Sequence, residues 1–218
     1  MKKYKNPLVI AVTGGIGSGQ STVCSFFEGW KCKVINADQK AKEIIRKDRK
    51  LQKELKQVFG DDIFFKGREL NTKRLAELAF KDELQTLRLN QLVHPRMVES
   101  LIEEMERARF SQRYPLIIID AALVYEISIE QMFDYIIVVN APMQLRSKRV
   151  GERDGMTKKQ FGERVSKQIP LQDKVKWADF VIENDGTLEE LKERTRKVYE
   201  KLLELQKQQE RKRNRNSF

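Results

Sequence analysis

The feature that most constrains this chain is a short apolar run that stops on glycine. Leu8 to Thr13 is followed without a spacer by Gly14-Gly15-Ile16-Gly17-Ser18-Gly19-Gln20-Ser21-Thr22. A stretch with Val23, Phe26 and Phe27 at helical spacing comes next. A continuous β-branched run reads as a strand buried on both faces, as in a parallel sheet covered by helices. The glycines let the backbone wrap tightly and aim several N–H groups into one concavity, and the following helix turns its positive end toward the same place. Strand, loop, hydroxyl and helix in this order make a phosphate cradle. A glycine-rich turn without a ligand is the alternative, and it leaves that order unexplained.

The usual loop pattern is G-x-x-x-x-G-K-[ST], in which the Lys reaches the β- and γ-phosphates and the hydroxyl holds Mg²⁺. Gly14, Gly19 and Ser21 fit it, but position 20 is Gln. An amide can donate to a phosphate oxygen without bringing charge, and a charge-assisted hydrogen bond exceeds a neutral one by about 1–2 kcal/mol. At about 1.4 kcal/mol per decade, that difference is a tenfold effect. Arg149 and Arg153, further along the chain, are cations able to supply part of the missing charge.

Three further runs, Leu116 to Asp120, Tyr135 to Asn140 and Phe180 to Glu183, repeat the apolar pattern, with a weaker one at Lys33 to Asn36. The class is α/β with a parallel sheet. From about Ala41 to Gln112 the spacing is helical (Leu75, Leu78, Ala79, then Leu84, Leu87, Leu89 and Leu92), and this segment is far longer than a crossover connection needs. It reads as a helical insertion, a substrate-binding subdomain. Arg146 to Lys176, rich in Lys, Arg and Gln, reads either as a lid or as a solvated helix pair. The last helix spaces Leu188, Leu191, Thr195, Val198, Leu202 and Leu205 by threes and fours over fewer heptads than a coiled coil requires, so it is expected to pack on its own sheet.

The length, 218 residues with 40% hydrophobic, allows one core with an attached subdomain and excludes two large domains. A net charge of +11 points to anionic partners, whether phosphorylated ligands or nucleic acid. The tail Arg211-Lys212-Arg213-Asn214-Arg215 invites the nucleic-acid reading, but aromatic interleaving and a recognised module are both missing. Met1 to Lys5 before Leu8 imitates a secretory start, yet the apolar run ends after five residues, short of the roughly seven to fifteen required. With no run near the about eighteen residues that span a bilayer, a soluble chain without membrane contact is expected. Cys24 and Cys32 are too few for a disulfide framework and lack metal-ligand spacing, so free thiols and a cytoplasmic location follow.

Asp38 ends Val34-Ile35-Asn36-Ala37-Asp38, where the carboxyl end of a parallel strand lines the ligand crevice. There it can take the proton of an attacking hydroxyl; as a helix N-cap for the stretch from Gln39 it would be structural. Asp120 has a similar choice between a metal contact and a cap.

Taken together, Gly14 to Thr22, Asn36-Ala37-Asp38, Leu92-Val93-His94-Pro95, Ala122-Leu123-Val124-Tyr125-Glu126, Arg149 to Arg153 and Ala178-Asp179-Phe180-Val181-Ile182-Glu183-Asn184-Asp185-Gly186 resemble, in that order, the dephospho-CoA kinase family. The resemblance implies a P-loop kinase: a three-layer α/β/α fold with a five-stranded parallel sheet, a helical substrate-binding insertion and a small lid. The implied core is 1–40, 114–145 and 176–218, with a dephospho-CoA-binding insertion at 41–113 and a lid at 146–175. It implies transfer of a phosphoryl group from MgATP to the ribose 3′-hydroxyl of dephospho-CoA, the last step of coenzyme A synthesis.

Residue by residue, it assigns Gly17, Ser18, Gly19, Gln20, Ser21 and Thr22 to ATP and Ser21 to Mg²⁺; Gly14 and Gly15 complete the ATP loop, Arg153 lies one turn beyond Arg149 as a further ATP contact, and Asp120 is a further metal candidate from its place at a strand end. Asp38 is the implied base, Arg149 the lid arginine, and Asp38 and His94 the substrate contacts, with Arg74, beside Lys73, able to compensate as a substrate contact for the Arg absent at Thr72; a packed or capping histidine is the plainer role for His94. The chain departs from the pattern at Gln20 (for Lys), Asn36 (for Asp), Ala122 (for Pro) and Thr72 (for Arg). An impaired pseudokinase that binds ATP or CoA is the competing reading.

Overall fold

Five apolar segments form the sheet of the computed structural model, whose described residues are 4–65 and 69–215. They are β1 (Leu8–Gly14), β2 (Lys33–Asn36), β3 (Leu116–Asp120), β4 (Tyr135–Asn140) and β5 (Phe180–Glu183), in the order β2-β3-β1-β4-β5. β1 is central and parallel to both neighbours: Ile10 stands beside Ile118 and Tyr135, and Val12 beside Asp120 and Ile137. The carboxyl ends of β1, β3 and β4 therefore meet at one edge, where ligands of such sheets bind. Two acids fix the opposite edge: Asp134 accepts from the Val9 N–H (2.7 Å) and Asp179 from the Ile136 N–H (2.8 Å).

Helix α1 (Gln20–Gly29) leaves the loop after β1 and returns the chain to β2. α2 (Ala37–Lys47), α3 (Arg49–Phe59), α4 (Thr72–Ala79) and the long α5 (Glu83–Ser111) lie between β2 and β3. α6 (Met143–Asp154), α7 (Lys158–Val165) and α8 (Leu171–Trp177) lie between β4 and β5, and α9 (Leu188–Arg215) closes the chain. One face of the sheet packs Leu8, Ile10, Val12, Ile118, Ile137, Val139 and Ile182 against Val23, Cys24 and Phe27 of α1 and Leu191 and Leu202 of α9. The final helix thus covers its own sheet, as its short heptad run predicts. On the other face Ile136 lies beside Trp177 of α8 in an open groove shared with Tyr125 and Ile169. Burial on both faces is why these strands lack polar alternation.

The chain divides into two compact units, Met1–Ile35 with Met105–Phe218, and Asn36–Glu104. The second has a core of Leu51, Leu55, Phe59, Ile63, Leu75, Ala79 and Val93. α5 is one uninterrupted helix whose residues through Glu104 belong to this unit and whose Met105 and later residues belong to the sheet unit, a boundary that periodicity does not mark. Cys24 and Cys32 are buried and unbridged. No helix among the described residues is long and apolar enough to cross a membrane. Met1 to Lys3 of the signal-like start and residues 216–218 of the basic tail lie outside the described residues.

Candidate active site

The loop between β1 and α1 is built on two glycines with positive φ, Gly17 (78°) and Gly19 (94°), a region that costs an L side chain about 1–2 kcal/mol. Space is as restrictive as torsion. A Cβ on Gly17 would sit 2.6 Å from the Arg146 carbonyl oxygen, one on Gly15 would sit 2.5 Å from the Arg146 guanidinium, and one on Gly19 would strike the Asn184 amide. Inside the loop the Ser18 N–H donates to the Gly15 carbonyl at 2.9 Å. Gly19 is the N-cap of α1 and brings no capping side chain, and the first turn holds no acid. The N–H groups of that turn have no intrahelical acceptors, and the helix dipole adds to their pull on an anion. The residues therefore fit the phosphates of a nucleotide.

Residues far along the chain hold this loop. Arg146 of α6 is buried; its Nε donates to the Ile16 carbonyl at 2.9 Å and its guanidinium lies over the Phe161 ring at 5.7 Å. Burial lowers its pKa, although an arginine stays charged throughout the working range. The Ile16 N–H donates to Oε1 of Gln168 at 3.1 Å, so both backbone groups of Ile16 are taken by the 146–175 segment. Asn184, buried at the end of β5, donates from Nδ2 to the Ser18 carbonyl at 2.7 Å and accepts on Oδ1 from NH2 of Arg149 at 3.2 Å. NH1 of Arg149 is buried without a partner. Beneath these residues Lys174 is completely buried, with Nζ 2.6 Å from Glu126 Oε1 and 3.1 Å from the Ala122 carbonyl. That carbonyl also accepts from Thr13 Oγ1 at 3.2 Å.

The structure gathers Gly14 to Thr22, Asp120 and Arg149 in one place. Gln20 Nε2 donates to Asp120 Oδ1 at 2.5 Å. Ser21, in the first turn of α1, is exposed. Among the described residues no group of three His, Cys, Asp or Glu could hold a metal. The Ser21 hydroxyl and the Asp120 carboxylate are hard oxygen donors of the kind Mg²⁺ accepts beside phosphate oxygens. Arg153 donates both bonds to Asp154, the next residue, at 2.8 and 2.7 Å.

In the second unit, Asn36 caps α2, accepting from the Gln39 N–H at 2.8 Å. This corrects the capping role considered for Asp38, which is exposed in the first turn of that helix. Arg74 is engaged by acids, with Nε 2.6 Å from Asp62 and NH1 3.5 Å from Glu77. His94 is half-buried one residue before Pro95 inside α5, and burial lowers its pKa. The following Arg96 is the brace of this unit: it bonds Glu54 (2.9 Å), Asp48 (3.2 Å) and the Leu92 carbonyl (2.8 Å).

Sequence reading missed Arg146, Gln168, Lys174 and, as a site residue, Asn184. For Arg146 a signal existed: it stands one turn before Val150, on the buried face of α6. For Gln168 no local signal exists, because its partner is 152 residues away.

The family model for dephospho-CoA kinase matches residues 8–190. A dephospho-CoA kinase of Chlorobaculum tepidum is 34% identical over 206 residues, 92% of this chain and 98% of that protein. A solved structure from Thermus thermophilus superposes with a TM-score of 0.76 at 33% identity, covering 89% of this chain and 97% of that one. The dephospho-CoA kinase of Campylobacter jejuni, at 23% identity and a TM-score of 0.62 over 90% and 97%, shares the fold.

Proposed function

The chain belongs to the dephospho-CoA kinase family, and we propose that it transfers the γ-phosphoryl group of ATP to the ribose 3′-hydroxyl of dephospho-CoA, completing coenzyme A. The observation that carries this reading is the unbroken family match over residues 8–190, which takes in the loop, the Asn36-Ala37-Asp38 strand end and the Asn184 strand together. The free, buried thiols agree with a cytoplasmic site of action.

In this reading the backbone N–H groups from Gly17 to Thr22 hold the β- and γ-phosphates. Asp38 accepts the proton of the 3′-hydroxyl as its oxygen bonds to the γ-phosphorus. The bond from that phosphorus to the bridging oxygen breaks, and ADP leaves with the electron pair. Arg149 faces the charge on the transferring group, and Arg146 keeps the loop in shape without touching substrate. Mg²⁺, when bound with ATP, neutralises charge on the β- and γ-oxygens, and Ser21 and Asp120 are the residues that would hold it. Arg74 and His94 contact the acceptor; Arg74 must exchange Asp62 and Glu77 for it, and His94, kept neutral by burial, offers a hydrogen bond and not a charge.

The pseudokinase alternative rests on Gln20 alone, and the curated relatives named as kinases favour the enzyme. The deciding measurement is ADP release with dephospho-CoA, adenosine and no acceptor. Turnover that requires dephospho-CoA is expected; rates equal to the acceptor-free background at millimolar substrates would refute the proposal.

A further inference from the structure

Two observations in the sheet unit are unexplained by the roles above. The loop lacks the cation at position 20, because Gln20 stands there and its amide is spent on Asp120. A buried guanidinium nitrogen, NH1 of Arg149, has no acceptor. A buried donor without a partner is costly, and an acceptor brought by a bound ligand would relieve that cost. Asn184 connects the two. Its amide is oriented by chemistry, since Nδ2 must face the Ser18 carbonyl and Oδ1 must face the Arg149 donor. The same side chain lies so close to Gly19 that a Cβ there would strike it. Through one buried amide, Arg149 is thus tied to the two residues that precede the vacant cationic position.

We propose that Asn184 is a positioning residue that holds Arg149 against the phosphate loop, so that Arg149 supplies the positive charge that position 20 lacks. This rests on the kinase reading only for the presence of a nucleotide on the loop, and it extends that reading by naming the device that makes a Gln-bearing loop serviceable. A lysine at position 20 is tethered by its own backbone. An arginine on α6 is not, and without a fixed contact it loses rotamer freedom each time it engages a phosphate. The Asn184 amide removes that cost by ordering the guanidinium beforehand, which is preorganisation of a charge-assisted contact.

The test is equilibrium binding of ATP and ADP, without acceptor, to the full chain and to Asn184→Ala, Arg149→Ala and their double variant. Each variant is measured again with Gln20→Lys added. Single variants are expected to bind ATP about tenfold more weakly, and the double variant far less than the product of the two losses, because Asn184 acts mainly through Arg149 and only in part through the Ser18 carbonyl. With Gln20→Lys added, each loss shrinks to about two- to threefold, since the loop then has its own cation. A purely structural role for Asn184 would weaken binding equally in both backgrounds and would persist when Arg149 is already absent. Additive losses, equal losses in the two backgrounds, or native affinity in Arg149→Ala would each overturn the proposal. Thermal unfolding of every variant identifies misfolding; if Asn184→Ala unfolds early, Asn184→Ser, which retains a small polar group, is measured in its place. Failure of dephospho-CoA turnover with the binding pattern intact would refute the substrate assignment and leave this inference standing.

Discussion

Replacing Lys174 with Met should destabilise the protein by about 3 kcal/mol, and the geometry sets that figure. Methionine keeps most of the aliphatic stem, so the packing of α8 changes little. What disappears is the ammonium 2.6 Å from Glu126 and 3.1 Å from the Ala122 carbonyl. Glu126 keeps one bond, from the Ile169 N–H at 3.1 Å, and its other oxygen is already buried without a partner. Removing one member of a buried ion pair costs about 3–5 kcal/mol, because the remaining charge stays buried. The lower end applies, since 13% of the Glu126 side chain is exposed. For a chain of this size each kcal/mol lowers the melting temperature by about 2–4 °C, so a fall of about 6–12 °C is expected. Adding Glu126→Gln removes the stranded charge while leaving an acceptor for Ile169, and should restore about 1–2 kcal/mol. Urea unfolding followed by tryptophan fluorescence reads this directly, because Trp177 lies in α8 against Tyr125, with ring centroids 5.4 Å apart. A single variant within 1 kcal/mol of the native protein, or a double variant less stable than the single, would refute the reasoning.

Gln20→Lys should raise kcat/KM for ATP about tenfold, the worth of a charge-assisted over a neutral hydrogen bond; a gain above about a thousandfold in steady-state assays would place the native chain with impaired enzymes. Gly17→Ala, at φ 78° with the Arg146 carbonyl 2.6 Å from the new Cβ, should lose at least tenfold in ATP affinity by titration, whereas Gly162→Ala, in α7 with nothing within 4 Å, should gain about 0.5–1 kcal/mol of stability in denaturant. Burial pushes the Cys32 thiol up to about 12, so the folded form holds its proton where the unfolded chain releases it. The stability this provides is complete below the ordinary thiol value of about 8.5–9 and is lost as pH rises toward 12. Cys32→Ala should flatten that part of the stability–pH curve, and an unchanged slope would contradict it.

The sheet and the loop were legible because their signals are local. A buried parallel strand is a contiguous apolar run, and a phosphate loop is nine consecutive residues. What holds the loop was not legible, since Arg146, Gln168 and Asn184 reach it from 130, 152 and 166 residues away. A charged, glutamine-containing segment has the same composition whether it is solvated or folded over a loop. Charge alone also did not reveal that Arg153 pairs with Asp154 beside it. At Asp38 the capping role considered from position belongs to Asn36, whose oxygen is spaced three residues from the Gln39 N–H. Pro95 inside α5 shows the limit of another local rule: proline opposes helix interiors, yet the 29-residue helix continues through it.

The dependence of the loop on distant residues has a consequence for synthesis of the protein. The nine residues of the glycine loop leave the ribosome early, but Arg146, Gln168 and Asn184 emerge much later, at about 5–20 residues per second. Until Gln168 is made the Ile16 N–H lacks its side-chain acceptor, and until Asn184 is made the Ser18 carbonyl lacks its side-chain donor. The loop is therefore braced in full only on a nearly finished chain. A shortened product ending before β5 would carry the whole glycine loop with Arg146 and Gln168 and still lack Asn184, which holds the Ser18 carbonyl.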